Sequence, residues 1–142
     1  MVKAVFDLTI IVSAILKPAG ITGELINRAR AGDFVLLLSQ EIIDESRATL
    51  RTHKKLRKQY RYTDEEVAYF FSRLRNIVTI VSDLPFVRIV RDPNDDFIIA
   101  TAVKAEADYL VARDKDLLVL GAHRNTQIVS PEMFLRILNA AA

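Results

Sequence analysis

The chain has 142 residues, 51% apolar and 27% charged, with a formal net charge of +2. That balance excludes a disordered chain, suits one domain with a sizeable core, and permits a nucleic-acid partner without requiring one. With no cysteine and only His53 and His123, disulfides, thiolate zinc sites, cysteine nucleophiles and a histidine-rich metal centre are excluded.

The elements follow in chain order. Val2–Phe6 is a short β-branched apolar run ended by Asp7, which predicts a first strand. An acid there interrupts what would be the apolar core of a signal sequence, and no run of about 20 uncharged apolar residues occurs. The expectation is a mature, soluble, cytoplasmic chain with no membrane partner. Ile10–Leu16 reads as a short buried helix stopped by Pro18 and Gly20. Thr22–Ala31 has helical spacing and ends at Gly32. Phe34–Leu38, five apolar residues in a row, predicts a strand covered on both faces. Ser39 caps a helix reaching about Arg51.

From Arg51 to Tyr62 the character changes to Arg-Thr-His-Lys-Lys-Leu-Arg-Lys-Gln-Tyr-Arg-Tyr. Thr63-Asp64-Glu65-Glu66 then has capping-box spacing ahead of an inward stripe of Val67, Phe70, Phe71 and Leu74. Ile77–Ser82 predicts a strand, Pro85–Val90 an extended segment and Asp92–Asp95 a turn. Helix Phe97–Glu106, strand Asp108–Val111, short helix Asp114–Leu120 and strand Ile128–Val129 follow. Ser130-Pro131-Glu132 opens a final helix. No linker or repeat is visible, so residues 1–142 read as a single domain. The alternation of strands and helices predicts an α/β fold, a parallel sheet with helices on its faces.

In such a sheet, ligands bind beyond the carboxyl ends of the strands. Asp7 ends the first strand and Asp114 follows a later one by three residues. Glu45 lies near the start of the helix after Phe34–Leu38, and Asp96 opens the helix at Phe97. All four can reach one rim, where their repulsion calls for a cation. Oxygen donors without histidine or thiolate suit Mg²⁺ or Mn²⁺, and such sites hydrolyse phosphodiesters with activated water. Singly, each acid is equally well read as a cap, an Asx turn or a solvated helix residue.

Val5-Phe6-Asp7-Leu8-Thr9-Ile10-Ile11-Val12-Ser13-Ala14, Ser39-Gln40-Glu41-Ile42-Ile43-Asp44-Glu45, Asp96-Phe97-Ile98-Ile99-Ala100-Thr101-Ala102 and Asp108–Asp116 resemble, in order, four motifs of the PIN-domain family of metal-dependent nucleases. The resemblance covers essentially the whole chain. It implies a three-layer α/β/α sandwich of the PIN type and a Mg²⁺- or Mn²⁺-dependent ribonuclease. It also implies catalytic acids Asp7, Glu45, Asp96 and Asp114, and metal ligands Asp7, Asp96, Asp114 and Asp116. Thr9 and Asp95 would support these acids. The Asp-Pro-x-Asp-Asp stretch ending at Asp96 resembles the toxins of bacterial toxin–antitoxin pairs, which implies an RNA substrate, a homodimer and an antitoxin partner. Leu8, Thr9 and Ala112 depart from the family pattern at positions that usually carry Thr or Ser, Asn, and Thr or Ser. The alternative is therefore a degenerate PIN-like module that binds RNA or protein.

Arg51, Lys54, Lys55, Arg57, Lys58 and Arg61, with Tyr60 and Tyr62 interleaved, form the expected nucleic-acid contact, joined by Arg113. A solvated face is the competing reading. Both histidines are expected at the surface, and Phe70, Phe71, Phe97 and Phe134 in the core. No histidine-based triad accompanies Ser13, which discounts a serine hydrolase. A phosphotransfer domain built on Asp7 ranks last, because Thr9 fills the place of the second acid that such phosphatases need.

Overall fold

A computed structural model describes residues 1–86 and 96–141. The elements are β1 (Lys3–Phe6), α1 (Leu8–Leu16), α2 (Ile21–Arg30), β2 (Val35–Ser39), α3 (Gln40–Thr52), α4 (Lys54–Tyr60), α5 (Asp64–Arg75), β3 (Val78–Val81), α6 (Asp96–Ala105), β4 (Tyr109–Val111), α7 (Lys115–Leu120), β5 (Ala122–His123), β6 (Thr126–Val129) and α8 (Pro131–Ala141). The strands form one sheet in the order β3-β2-β1-β4-β6-β5. Every pairing is parallel except β5 with β6. The α/β reading is therefore correct, and the fold is a mostly parallel sheet between helices.

β1 lies between β2 and β4, with Val5 level with Leu37 on one side and Leu110 on the other. Connections β1→β2→β3 step outward in one direction, and β3→β4 steps back across β1. Helix α6, in the connection that steps back, packs against β1, β2, β3 and β4. The chain reverses direction beside β1, which makes the carboxyl end of that strand the switch point where open α/β sheets bind ligands.

The core forms where the pattern places it. Ala4, Val5, Phe6, Ile10, Ile11, Leu36, Leu38, Ile42 and Ile43 are buried. The Phe6 and Phe34 rings lie edge-on to Phe134 of α8. Phe71 and Phe134 are in the core, while Phe70 and Phe97 pack against it half-buried. Thr63 and Glu66 exchange both capping-box hydrogen bonds at 3.1 Å, as their spacing predicts. Gly23 lets α2 approach the end of α1: a Cβ there would stand 2.1 Å from the Pro18 carbonyl oxygen.

Two differences from the sequence reading have local causes. The hairpin β5–β6 is antiparallel and adds an edge strand, turning through Arg124 at φ +54°. Two-residue strands carry too little alternation to register as a pattern. The basic stretch contains a helix of its own, α4, which begins where the His53 Nδ1 accepts the Leu56 amide at 3.3 Å. The extended segment expected over residues 85–90 is described only at Pro85 and Phe86, which are irregular. The turn Asp92–Asp95, and with it Asp95, lies outside the described residues.

Candidate active site

Asp7 is the first residue past β1 and the N-cap of α1. Its backbone amide donates to the Val111 carbonyl at 3.0 Å, which pins it against the end of β4. One carboxylate oxygen accepts the Thr9 amide at 3.3 Å and the other the Thr9 hydroxyl at 2.9 Å. Only 2% of the residue is exposed. Burial pushes its pKa above the ordinary aspartate value; the Thr9 hydrogen bonds oppose this, and the nearby charge of Asp114 adds to it. Asp7 and Asp114 therefore sense each other across the ends of adjacent strands.

Asp114 is half-buried and is the N-cap of α7, accepting the Asp116 amide at 2.8 Å. The structural roles foreseen for Asp7 and Asp114 are thus real: each accepts the amide two residues on, and this capping fixes both carboxylates just past the ends of β1 and β4. Asp116 follows, half-buried, in the first turn of α7.

Asp96 opens α6 and is 9% exposed. Five residues further along, the Thr101 hydroxyl donates to the Ser39 hydroxyl at 2.8 Å, in a fully buried contact. Ser39 ends β2 and also caps α3. Asp96 thus stands about 7.5 Å along the helix from that contact, toward the carboxyl rim. Sequence reasoning did not single out the Ser39–Thr101 pair, because the two residues are joined only by the tertiary fold.

Glu45 lies in the second turn of α3 and is exposed. Among the described residues no three His, Cys, Asp or Glu side chains are gathered as a group able to hold a metal ion. The four expected acids therefore form no closed cage among the described residues. Of these acids, Asp114 is the one whose charge adds to the raised pKa of Asp7.

The expected nucleic-acid contacts divide. Arg51, Lys54, Lys55 and Lys58 are exposed and enter no ion pair among the described residues. Arg57 is bound to Asp64 at 2.7 Å and lies over the Tyr62 ring. Arg113 is bound to Glu132 at 3.0 Å. Tyr62 is not available for stacking on a base, because it is buried and its hydroxyl donates to the Leu50 carbonyl. His53 is exposed and His123 half-buried. A hollow of about 520 Å³ between α1, α2 and α5 includes none of Asp7, Glu45, Asp96 and Asp114.

Asp7 and Asp114 thus lie just past the carboxyl ends of β1 and β4, the end of a parallel sheet at which ligands bind. The PIN domain family matches residues 3–116, and the chain belongs to that family. PIN domains are in general metal-dependent nucleases, and the matched segment holds Asp7, Glu45, Asp96, Asp114 and Asp116. No curated protein matches the chain. Among the described residues no single helix is long and apolar enough to cross a membrane.

Proposed function

We propose that this protein is an endoribonuclease that hydrolyses RNA phosphodiesters with Mg²⁺ or Mn²⁺, with Asp7, Asp96 and Asp114 holding the cation. The observation that carries the proposal is Asp7: a 2%-exposed carboxylate at the switch point of the sheet, its pKa raised by burial and further by the charge of Asp114. A divalent cation is the group that relieves both burdens. The donors fit it, since Mg²⁺ is commonly held by one or two carboxylates together with waters and substrate phosphates rather than by an all-protein cage. When bound, it would supply charge for a phosphoryl oxygen and a water of lowered pKa.

The chain's own residues do the rest. Thr9 fixes both oxygens of Asp7, and the Asp116 amide fixes Asp114, so little ordering is left for the moment of reaction. A rim carboxylate takes the proton of the attacking water as the new O–P bond forms. The bond to the departing ribose oxygen breaks, and the proton is delivered to that oxygen. Glu45, exposed on α3, and Asp116 flank this chemistry. Lys54, Lys55 and Lys58 of α4, with Arg51, hold phosphates further along the strand. The stretch ending at Asp96 supports a toxin role in the cytoplasm, with a homodimer and an antitoxin as partners.

A second reading, a PIN-fold module that binds RNA without cutting it, is favoured by one observation: the described residues gather no three acids. Incubation of labelled single-stranded RNAs with the full chain in Mg²⁺, Mn²⁺ or EDTA separates the two. The nuclease reading expects cleavage with metal only. Cleavage undiminished by EDTA contradicts the metal mechanism, and inactivity with both metals across varied RNAs favours the binding module.

A further inference from the structure

A groove of about 280 Å³ opens next to the candidate site, between α1 and the α3–α4 corner. Thr9 lines one part of it, and the same Thr9 hydroxyl holds Asp7 at 2.9 Å. Leu56 and Tyr60 of α4 line the groove with Val12 and Leu16 of α1, and Lys17 joins them. Leu56 and Tyr60 are four residues apart and share one face of α4. Lys54, Lys55 and Lys58 lie elsewhere on that helix, all exposed and in no ion pair among the described residues.

One short helix thus offers an aromatic and aliphatic face to a groove and cations to its surroundings. Single-stranded nucleic acid asks for that combination, with bases against aromatic side chains and phosphates against lysines. The size is below that of pockets for drug-sized ligands, about 300–1,000 Å³, and suits one planar heterocycle. Lys17 in the lining of an apolar groove, in no ion pair among the described residues, favours a polyanion carrying flat apolar groups over an uncharged apolar partner.

We propose that this groove is a nucleobase subsite. It would take one unpaired base of an RNA strand against Tyr60, while Lys17 holds the adjoining phosphate and the lysines on the other faces of α4 hold phosphates further along the strand. Thr9 joins the two sites, so that a base seated here places its neighbouring phosphate beside Asp7. The inference rests on the nuclease reading only for that last step; the base subsite itself requires no cleavage.

The test measures binding of the full-length chain in EDTA to two fluorescently labelled RNAs of equal length, one carrying bases and one with abasic residues. Phosphate contacts are common to both strands, so their ratio reports base seating alone. Stacking of a base on an aromatic side chain predicts binding of the base-bearing strand about 5- to 150-fold tighter. Tyr60→Ala should bring that ratio within about twofold of unity, and Tyr60→Phe should keep it. Thermal melts of both variants confirm folding, and Leu56→Ala supplies a second test if Tyr60→Ala does not fold. Equal affinity of the parent for the two strands would overturn the subsite, leaving the groove to an apolar side chain of a protein partner. A ratio that survives both Tyr60→Ala and Leu56→Ala would overturn it too. Base discrimination without cleavage in any metal would instead sink the nuclease reading and keep the subsite, whereas cleavage without discrimination would do the reverse.

Discussion

Replacing Asp7 with asparagine should inactivate the protein and, with metal chelated, make it more stable. Asparagine caps a helix about as well as aspartate, and its carbonyl can still accept the Thr9 amide. The Thr9 hydroxyl, now facing an NH₂, can turn from donor to acceptor. What disappears is a charge in a site only 2% exposed and near Asp114. Exposed substitutions of this kind stay within about 0.5 kcal/mol of neutral. Removing a buried active-site charge lies in the range of about 0.5–2 kcal/mol of stabilisation. At roughly 3–4 °C per kcal/mol for a chain of this length, the melting temperature should rise by about 2–8 °C.

The pH dependence fixes the cause. Because burial raises the Asp7 pKa in the folded state, the native protein binds this proton more tightly than the unfolded chain. Stability of the parent therefore falls as pH rises from the ordinary carboxylate value through the raised one, and then levels off. The advantage of Asp7→Asn should be absent below that window, grow across it and reach a plateau above it. Thermal melts of both proteins in EDTA from pH 3.5 to 8 measure the difference directly. A variant less stable than the parent at pH 8, or a difference independent of pH, would refute the assignment of Asp7 as a buried charge held at a cost to the fold.

Three further outcomes follow from the same geometry. Thr9→Val removes the hydroxyl hydrogen bond to Asp7 and keeps the amide one, and should lower metal-dependent RNA cleavage about 10–100-fold with little change in melting temperature. Gly23→Ala drives a methyl group to 2.1 Å from the Pro18 carbonyl oxygen, a backbone clash that should cost about 3 kcal/mol, read as a melting temperature roughly 10 °C lower. Replacing Lys54, Lys55 and Lys58 together with alanine should weaken RNA binding and flatten its dependence on salt by about one unit of slope for each phosphate no longer held; an unchanged slope would mark α4 as a solvated face.

The parts of the fold that were legible are those with local causes. A β-branched run ending in Asp7, a capping box at Thr63–Glu66 and a proline-led last helix each carry their signal within a few residues. Once the elements alternate, a parallel sheet follows, and with it the placement of Asp7 and Asp114 past strand ends. What escaped the sequence depends on partners distant in the chain. Arg113 reads as a free cation until the fold brings Glu132 to it. Tyr60 and Tyr62 look equivalent in a basic run, yet two residues apart across the end of α4 they part company. Tyr60 lines a groove, whereas Tyr62 is buried against the Leu50 carbonyl. Glu45 sits at the expected place on α3, but helix phase leaves it exposed while its neighbour Ser46 is buried. The antiparallel hairpin β5–β6 is too short to leave a periodic trace.

The central claim, that acids brought to one rim together hold a divalent cation, is tested most directly by melting the protein with and without Mn²⁺. The proteins compared are the parent, Asp7→Asn, Asp96→Asn and, as a control, Asp108→Asn. Asp108 is exposed and accepts the Lys3 amide at the opposite, amino end of the central strands. Binding to the native state at a hundred times the dissociation constant adds about 2.7 kcal/mol, a shift of roughly 8–11 °C at this chain length. That shift should appear in the parent and in Asp108→Asn, and be lost or sharply reduced in Asp7→Asn and Asp96→Asn. An equal Mn²⁺ shift in all four proteins, or none in the parent, would contradict the claim.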